Sequence, residues 1–160
     1  MENLAEPPTS LSIKEYAESI KLEDMHELKA IMKLPEKMQK VFGALLVLLD
    51  NDYDCTDMRV RILIDREAME TKKRMINFDP TTLDEKQLKA AGNMLDEIDE
   101  KTAENMGAAA GKYRKWIKAV YDVSSVHRCL RSRFGESRTW YQTPALRKLF
   151  PVGLEKLYKC

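Results

Sequence analysis

The chain has 160 residues, of which 27 are basic and 26 are acidic, so its formal net charge is +1. This length suits one domain, or one domain with a tail. The balanced charge argues against a polybasic nucleic-acid protein and against an acidic tail. With only 6 glycines and 6 prolines, the composition favours helices over a β-sandwich or barrel.

Three features argue against secretion and membrane insertion. The cysteines Cys55, Cys129 and Cys160 are odd in number and widely spaced, which predicts reduced thiols rather than a disulfide framework. Residues 1–10 lack the basic and apolar regions of a signal peptide. The longest apolar run, residues 43–49, is too short to cross a bilayer. We therefore expect a cytoplasmic protein with no membrane contact.

The charge is unevenly distributed along the chain. Residues 112–160 hold 12 basic and 3 acidic side chains, whereas residues 1–111 hold 15 basic and 23 acidic ones. A basic C-terminal third can steer the protein toward an acidic partner. The alternative is a solvated surface on which the acidic and basic parts pair with each other.

Apolar residues recur at helical spacing through the first half of the chain. A short helix begins near residue 13, and Leu28, Ile31 and Met32 continue the pattern after a break near residues 21–24. Pro35 suits the first turn of the next helix. Its apolar stripe is formed by Met38, Val41, Ala44, Leu45, Leu48 and Leu49. After a polar loop over residues 51–57, a single third helix is predicted over residues 58–76, with Ile62, Leu63, Ala68, Met69 and Met75 facing inward.

The second half of the chain is predicted to be helical as well. Pro80 marks a break over residues 77–82, and a fourth helix follows to Ile98. A fifth helix begins near Thr102 and is interrupted at residues 124–125. One face of it carries Met106, Ala109, Ala110, Tyr113, Trp116, Ile117 and Val120. We interpret Trp116 as a core anchor. A loop over residues 134–143 and a short helix from Pro144 to Phe150 complete an all-α small bundle.

Catalytic and metal-binding patterns are absent from the sequence. It has no Gly-rich phosphate loop, HExxH, CxxC or GxSxG motif, and His26 and His127 are isolated. Residues 50–54 are similar to the start of a calcium loop, but Cys55 and Arg61 occupy the positions that require glycine and glutamate. We therefore expect neither an enzyme nor a bound cofactor or metal.

Several motifs occur in an order typical of one family. Residues 17–49 read AESIKLEDMHELKAIMKLPEKMQKVFGALLVLL, an acidic-aliphatic segment followed by a proline-marked turn and a leucine-rich helix. Residues 77–79 form an aromatic-Asp turn, and residues 104–123 form a small-residue helix with a tryptophan and basic positions. Over residues 13–133 this order resembles the microtubule-binding domain at the stalk tip of dynein heavy chains.

The resemblance has clear departures. Residues 56–59 lack the tryptophan that opens the family's second helix, and HRCLRSR at residues 127–133 replaces the segment leading into the ascending coiled-coil strand. No heptads or nucleotide-binding module follow, so we do not expect the chain to act as a motor. The resemblance implies a disordered lead over 1–12, a stalk-like helical segment over 13–33, a helical bundle domain over 34–133 and a C-terminal extension over 134–160.

The resemblance also implies a site. The microtubule surface is acidic, so a binder needs Lys and Arg on a rigid face. The family's contact surface combines the start of its first domain helix with its last helix. The matching residues here are Lys33, Lys37, Lys40, His127, Arg128, Arg131 and Arg133. A secondary basic face consists of Lys112, Arg114, Lys115 and Lys118.

These residues imply a non-motor, microtubule-binding or axonemal structural protein of the cytoskeleton or cilium. Its partner would be tubulin, with dynein or axonemal subunits as further candidates. One alternative is a helical adaptor that binds another protein through residues 134–160. Its docking element would use Trp140, Tyr141, Leu146, Leu149 and Phe150. A second alternative is a protein that binds nucleic acid through its basic C-terminal third, although that third lacks a recognisable motif for reading bases.

Overall fold

The computed structural model describes the backbone of residues 10–54 and 56–134 and the side chains of residues 13–54 and 56–128. These residues form eight α-helices and no strand, which confirms the predicted all-α bundle. The helices are α1 (Ser10–Glu18), α2 (Leu22–Ala30), α3 (Glu36–Asp50), α4 (Asp57–Asp65), α5 (Ala68–Ile76), α6 (Glu85–Glu97), α7 (Glu100–Met106) and α8 (Ala108–Phe134). A 3-10 turn, Pro80–Thr82, precedes α6.

Local sequence signals explain where several helices begin and end. Asp84 and Gln87 form a reciprocal capping box at the start of α6, with N···O distances of 2.7 and 3.0 Å. Asp99 caps α7 by accepting a hydrogen bond from the backbone of Thr102 at 2.7 Å. Asn51 ends α3 in the left-handed conformation, with φ 53°, a conformation that asparagine tolerates.

The central element is α3. Eight consecutive residues, 41–48, are buried, and eight residues cover the whole circumference of a helix. The predicted apolar stripe is therefore only part of the buried surface, because α3 is covered from several directions. Its packing partners are α4, α6 and α8.

The longest helix, α8, carries the large aromatic contacts of the core. Trp116 is 0% exposed, which confirms it as a core anchor, and its ring meets Phe78 edge-on with the ring centres 5.3 Å apart. Tyr113 meets Phe42 of α3 in the same manner at 4.9 Å. Such edge-to-face pairs add to the free energy gained by burying the rings. Burial, together with the nearby charge of Asp24, raises the pKa of Tyr113 to about 12, so the phenol stays protonated.

The first two helices belong to the same core. Ile13, Ala17 and Ile20 are all at most 2% exposed, as are Met25 and Leu28 of α2. α1 packs against α5 and α8, and α2 packs against α4 and α8. Residues on both sides of the predicted boundary at residue 34 therefore contribute to one hydrophobic core.

The prediction of one continuous helix over residues 58–76 is wrong. α4 ends at Asp65 and α5 begins at Ala68, because Glu67 leaves the helical conformation with φ −105° and ψ 6°. Its carboxylate accepts a hydrogen bond from Arg59 at 3.3 Å, which holds the bend. Because α5 is a separate helix, its buried side differs from the predicted one. Met69, which was expected to face inward, is 54% exposed.

The predicted interruption at residues 124–125 is also wrong. α8 continues to Phe134, and the Ser124 hydroxyl donates to the backbone oxygen of Pro80 at 2.7 Å. The break occurs at Gly107, between α7 and α8. Its φ of 147° is strained for any L side chain, and a Cβ there would lie 2.7 Å from a carboxylate oxygen of Glu27.

Of the predicted loop over 134–143, Phe134 still belongs to α8. The rest of that loop, the predicted helix from Pro144 and the adaptor residues Trp140 to Phe150 lie outside the described residues. Among the helices that the structure describes, none has the length and apolar character to cross a membrane.

Trp116→Ala should destabilise the bundle by about 3–5 kcal/mol, because it removes the largest fully buried side chain and leaves a cavity. Urea denaturation followed by far-UV circular dichroism measures the change. The matched control is Met69→Ala on the exposed side of α5, for which we expect a change within about 0.5 kcal/mol. A free energy of unfolding unaltered by Trp116→Ala would show that the indole does not anchor the core.

Candidate functional site

The clearest candidate surface consists of the turn between α2 and α3 together with the first two residues of α3. We name these residues, 31–37, the basic turn. Lys33 and Lys37 are both exposed, and neither has an ionic partner among the described residues. The turn leads directly into α3, whose N-terminal end carries positive potential. These two lysines therefore present positive charge to solvent at one end of the bundle.

Two side chains hold the basic turn in place. Gln39 donates to the backbone oxygen of Leu34 and to the carboxylate of Asp57, both at 3.3 Å. Arg61 of α4 donates to the backbone oxygen of Ile31. Because these contacts pin residues 31 and 34 to α4, the intervening residues sit on a defined support.

The third predicted residue of this group is engaged within the protein. Lys40 forms an ion pair with Glu97 of α6 and a second one with Glu36 at 3.7 Å. The hydrogen bond to Glu97 raises the pKa of Lys40 above its ordinary value, despite a small opposing effect of burial. Lys40 therefore joins the start of α3 to the end of α6, and its charge is shared with two carboxylates.

The residues predicted on the last helix differ in accessibility. His127 is 6% exposed, so it offers little surface to a partner. Arg128 is exposed and donates to the backbone oxygen of Leu83 at 3.3 Å. Arg131 and Arg133 lie in α8, but their side chains are outside the described residues.

The structure does not bring the two predicted groups together. Lys40 contacts Glu97, the last residue of α6, whereas Arg128 contacts Leu83, just before α6 begins. Fourteen residues of mostly helical chain separate those two contact points, which is about 20 Å at 1.5 Å per residue. Lys33, Lys37 and Lys40 therefore lie at one end of α6, and Arg128 lies at the other.

The predicted secondary basic face contains one structural residue. Arg114 is 8% exposed and donates to the backbone oxygens of Ile98 at 2.7 Å and Leu95 at 3.3 Å. These carbonyls end α6 and have no partner within that helix. Arg114 thus satisfies a helix terminus inside the bundle and is not available to a partner.

The three lysines of that face form internal ion pairs. Lys112 contacts Asp24 of α2 at 2.7 Å, and Lys118 contacts Asp122 at 2.9 Å. Lys115 lies 3.5 and 3.7 Å from two carboxylates of α7. For Lys112 and Lys115 the acidic partner belongs to the first 111 residues, so the acidic and basic parts pair here as the alternative interpretation predicted.

The acidic loop after α3 is organised around arginine. Arg59 contacts Asp50, Asp52 and Glu67 at 3.0–3.3 Å, and Arg74 contacts Asp50 at 2.6 Å. A backbone hydrogen bond and the Arg59 guanidinium hold the pKa of Asp52 below its usual range. Within the described residues no group of three or more His, Cys, Asp or Glu side chains is placed to hold a metal ion.

Sequence reasoning missed two exposed methionines beside the basic turn. Met32 was assigned to the apolar pattern, yet it is 96% exposed, and Met58 of α4 is 75% exposed. The position of Met32 in the sequence could have indicated its exposure. It lies after the last turn of α2 and before Pro35, where helical spacing no longer determines which side chains are buried.

No family model, curated protein or solved structure matches the chain. The likeness to the dynein stalk tip therefore rests on the sequence motifs alone.

The ion pair between Asp24 and Lys112 should make stability depend on pH. Burial opposes ionisation of Asp24, but hydrogen bonds from Lys112 and from the Lys21 backbone outweigh it and lower its pKa. A lowered folded-state pKa contributes stability above the ordinary aspartate range, and this stability is lost as pH falls through the folded value.

We expect Asp24→Asn to cost about 1–3 kcal/mol at pH 7, with the difference from wild type shrinking below about pH 4. Urea denaturation at a series of pH values measures it. Asp96→Asn, on the exposed side of α6, is the control and should track wild type. A difference that is the same at every pH would contradict a role for the Asp24 charge.

Proposed function

We propose that this chain is a non-catalytic helical protein that binds the acidic surface of microtubules through the basic turn. The observation that carries the proposal is the exposure of Lys33 and Lys37, which have no ionic partner among the described residues. The other described candidate cations each contact a carboxylate or a backbone oxygen, or are buried.

Electrostatics supports an acidic partner for this end of the molecule. Two lysines beside the positive end of α3 attract carboxylates, and their long side chains can adjust to the partner's geometry. Contacts of this kind mainly raise the association rate and make binding salt-sensitive. The pinned backbone of the turn limits the entropy lost when the surface is engaged.

The choice of microtubules among acidic partners comes from the resemblance. In dynein heavy chains the matching turn precedes the first helix of the stalk-tip domain, and Pro35 marks that point here. Arg128 contacts a residue just before α6 and Lys40 contacts the last residue of α6, so the proposed contact surface is limited to the basic turn. Arg131 and Arg133 are not needed for it. The corresponding location is the cytoskeleton, including the axoneme of a cilium.

Reversing both free lysines should weaken binding. Lys33→Glu/Lys37→Glu is expected to raise the dissociation constant for stabilised microtubules at least about tenfold at low salt, which corresponds to about 1.4 kcal/mol. It should also flatten the dependence of affinity on salt, because fewer ionic contacts remain. Co-sedimentation across a salt series measures both quantities.

The matched control is Lys73→Glu/Lys89→Glu, which reverses two exposed lysines of α5 and α6. It makes the same change in net charge away from the basic turn, so its affinity should stay within about threefold of wild type. Equal weakening by both pairs would mean that net charge, not the basic turn, governs binding. Absence of wild-type binding at low salt would exclude microtubules as the partner.

A further inference from the structure

Two of the most exposed apolar side chains in the described part of the protein flank the same turn. Met32 is 96% exposed and Met58 is 75% exposed. Single exposed apolar residues are normal on protein surfaces, whereas neighbouring ones mark an interaction site. Methionine is common on such sites because its flexible, polarizable side chain adapts to different partners.

Hydrogen bonds hold the basic turn, which carries Met32, against α4, which carries Met58. Arg61 holds the carbonyl of Ile31, and Asp57 is tied through Gln39 to the carbonyl of Leu34. Met32 lies between the two pinned carbonyls. On α4, Met58 lies in sequence between Asp57 and Arg61. It is three positions before Arg61, which places both side chains on the side of α4 from which Arg61 reaches the turn.

The charge around the methionines is positive. Lys29, Lys33 and Lys37 are exposed and have no ionic partner among the residues the structure describes. Of the carboxylates nearby in sequence, Glu36 contacts Lys40 at 3.7 Å, whereas Asp57 accepts a neutral hydrogen bond from Gln39 and keeps its charge. Three lysines against this one unpaired carboxylate favour an occupant that brings negative charge.

We propose that Met32 and Met58 form the apolar centre of a docking surface, the methionine patch, whose rim is Lys29, Lys33 and Lys37. Its occupant is an acidic protein segment that presents an apolar side chain between its carboxylates. This proposal rests on the proposed function and adds that the acidic partner is recognised by burial of apolar surface as well as by charge.

The two components have separate consequences for binding. Lysines on the rim steer the partner and give salt dependence. Burial of thioether side chains slows dissociation and depends little on salt, because the hydrophobic effect is non-directional and uncharged. A second copy of this chain is a poor occupant, since symmetric pairing would bring the lysine rims together.

The first experiment compares methionine variants in microtubule co-sedimentation across a salt series. Met32→Gln/Met58→Gln should weaken binding about tenfold at every salt concentration and leave the salt dependence as in wild type. Met69→Gln, at a methionine 54% exposed on α5, is the matched control and should bind as wild type does. Unchanged affinity of the double variant would overturn the proposal.

A second experiment separates failure of the methionine patch from failure of the proposed function. The full chain, labelled with ¹³C at the methionine methyl groups, is titrated with two synthetic acidic helical peptides. One carries leucines at i and i+4 among glutamates, and the other has serines in their place. Substitution of Met32, Met58 and Met69 one at a time assigns their signals.

The leucine peptide should shift the methyl signals of Met32 and Met58 but not that of Met69, and the serine peptide should bind at least about fivefold more weakly. If the leucine peptide binds in this way but the wild-type chain does not bind microtubules, the methionine patch is supported and microtubules are rejected as its partner. Equal binding of both peptides, or no shift with either, would overturn the proposal. Concentration-dependent shifts of the two signals without peptide would show self-association and also overturn it.

Discussion

The arrangement of this protein depends on the burial of the middle of α3 on every side. A helix with eight consecutive buried residues, 41–48, must be covered on all sides, because every exposed apolar side chain would lose its hydrophobic stabilisation. α6 and α8 supply much of this cover, and α1 and α2 complete the packing around α8. The loop-to-helix junctions are thereby forced to the two ends of the bundle.

This packing determines what the charged residues do. Helix ends that meet the core leave backbone carbonyls without partners, and arginines satisfy several of them. Arg114 serves the end of α6, Arg74 donates to Leu49 at the end of α3, and Arg61 holds the turn after α2. Lys40 of α3 and Lys112 and Lys115 of α8 are paired with carboxylates of other helices. At the basic turn, packing leaves Lys33 and Lys37 exposed and without an ionic partner among the described residues.

The candidate site could be predicted only in part. Lys33 and Lys37 were identified from their position around Pro35 and from the family resemblance, and the structure leaves both exposed. Nothing in the helical period of α8 distinguishes Arg114, which is buried, from Lys118, which is exposed, because a long cation can reach carbonyls of a neighbouring helix. The placement of the methionines depends on contacts between residues 18 and 30 positions apart, so no local pattern could reveal it.

By itself the sequence determined the features that depend on neighbouring residues: the helical class, the start of α3 after Pro35, the capping of α6 by Asp84 and the inward side of Trp116. Local hydrogen bonds and periodic burial act over a few residues, so they can be read along the chain. The tertiary structure alone decided the bend at Glu67, the ion pairs of Lys40, Lys112 and Lys115 with other helices, and the separation of the two basic groups. Each of these depends on which distant helix lies opposite, which is settled only when the apolar faces pack together.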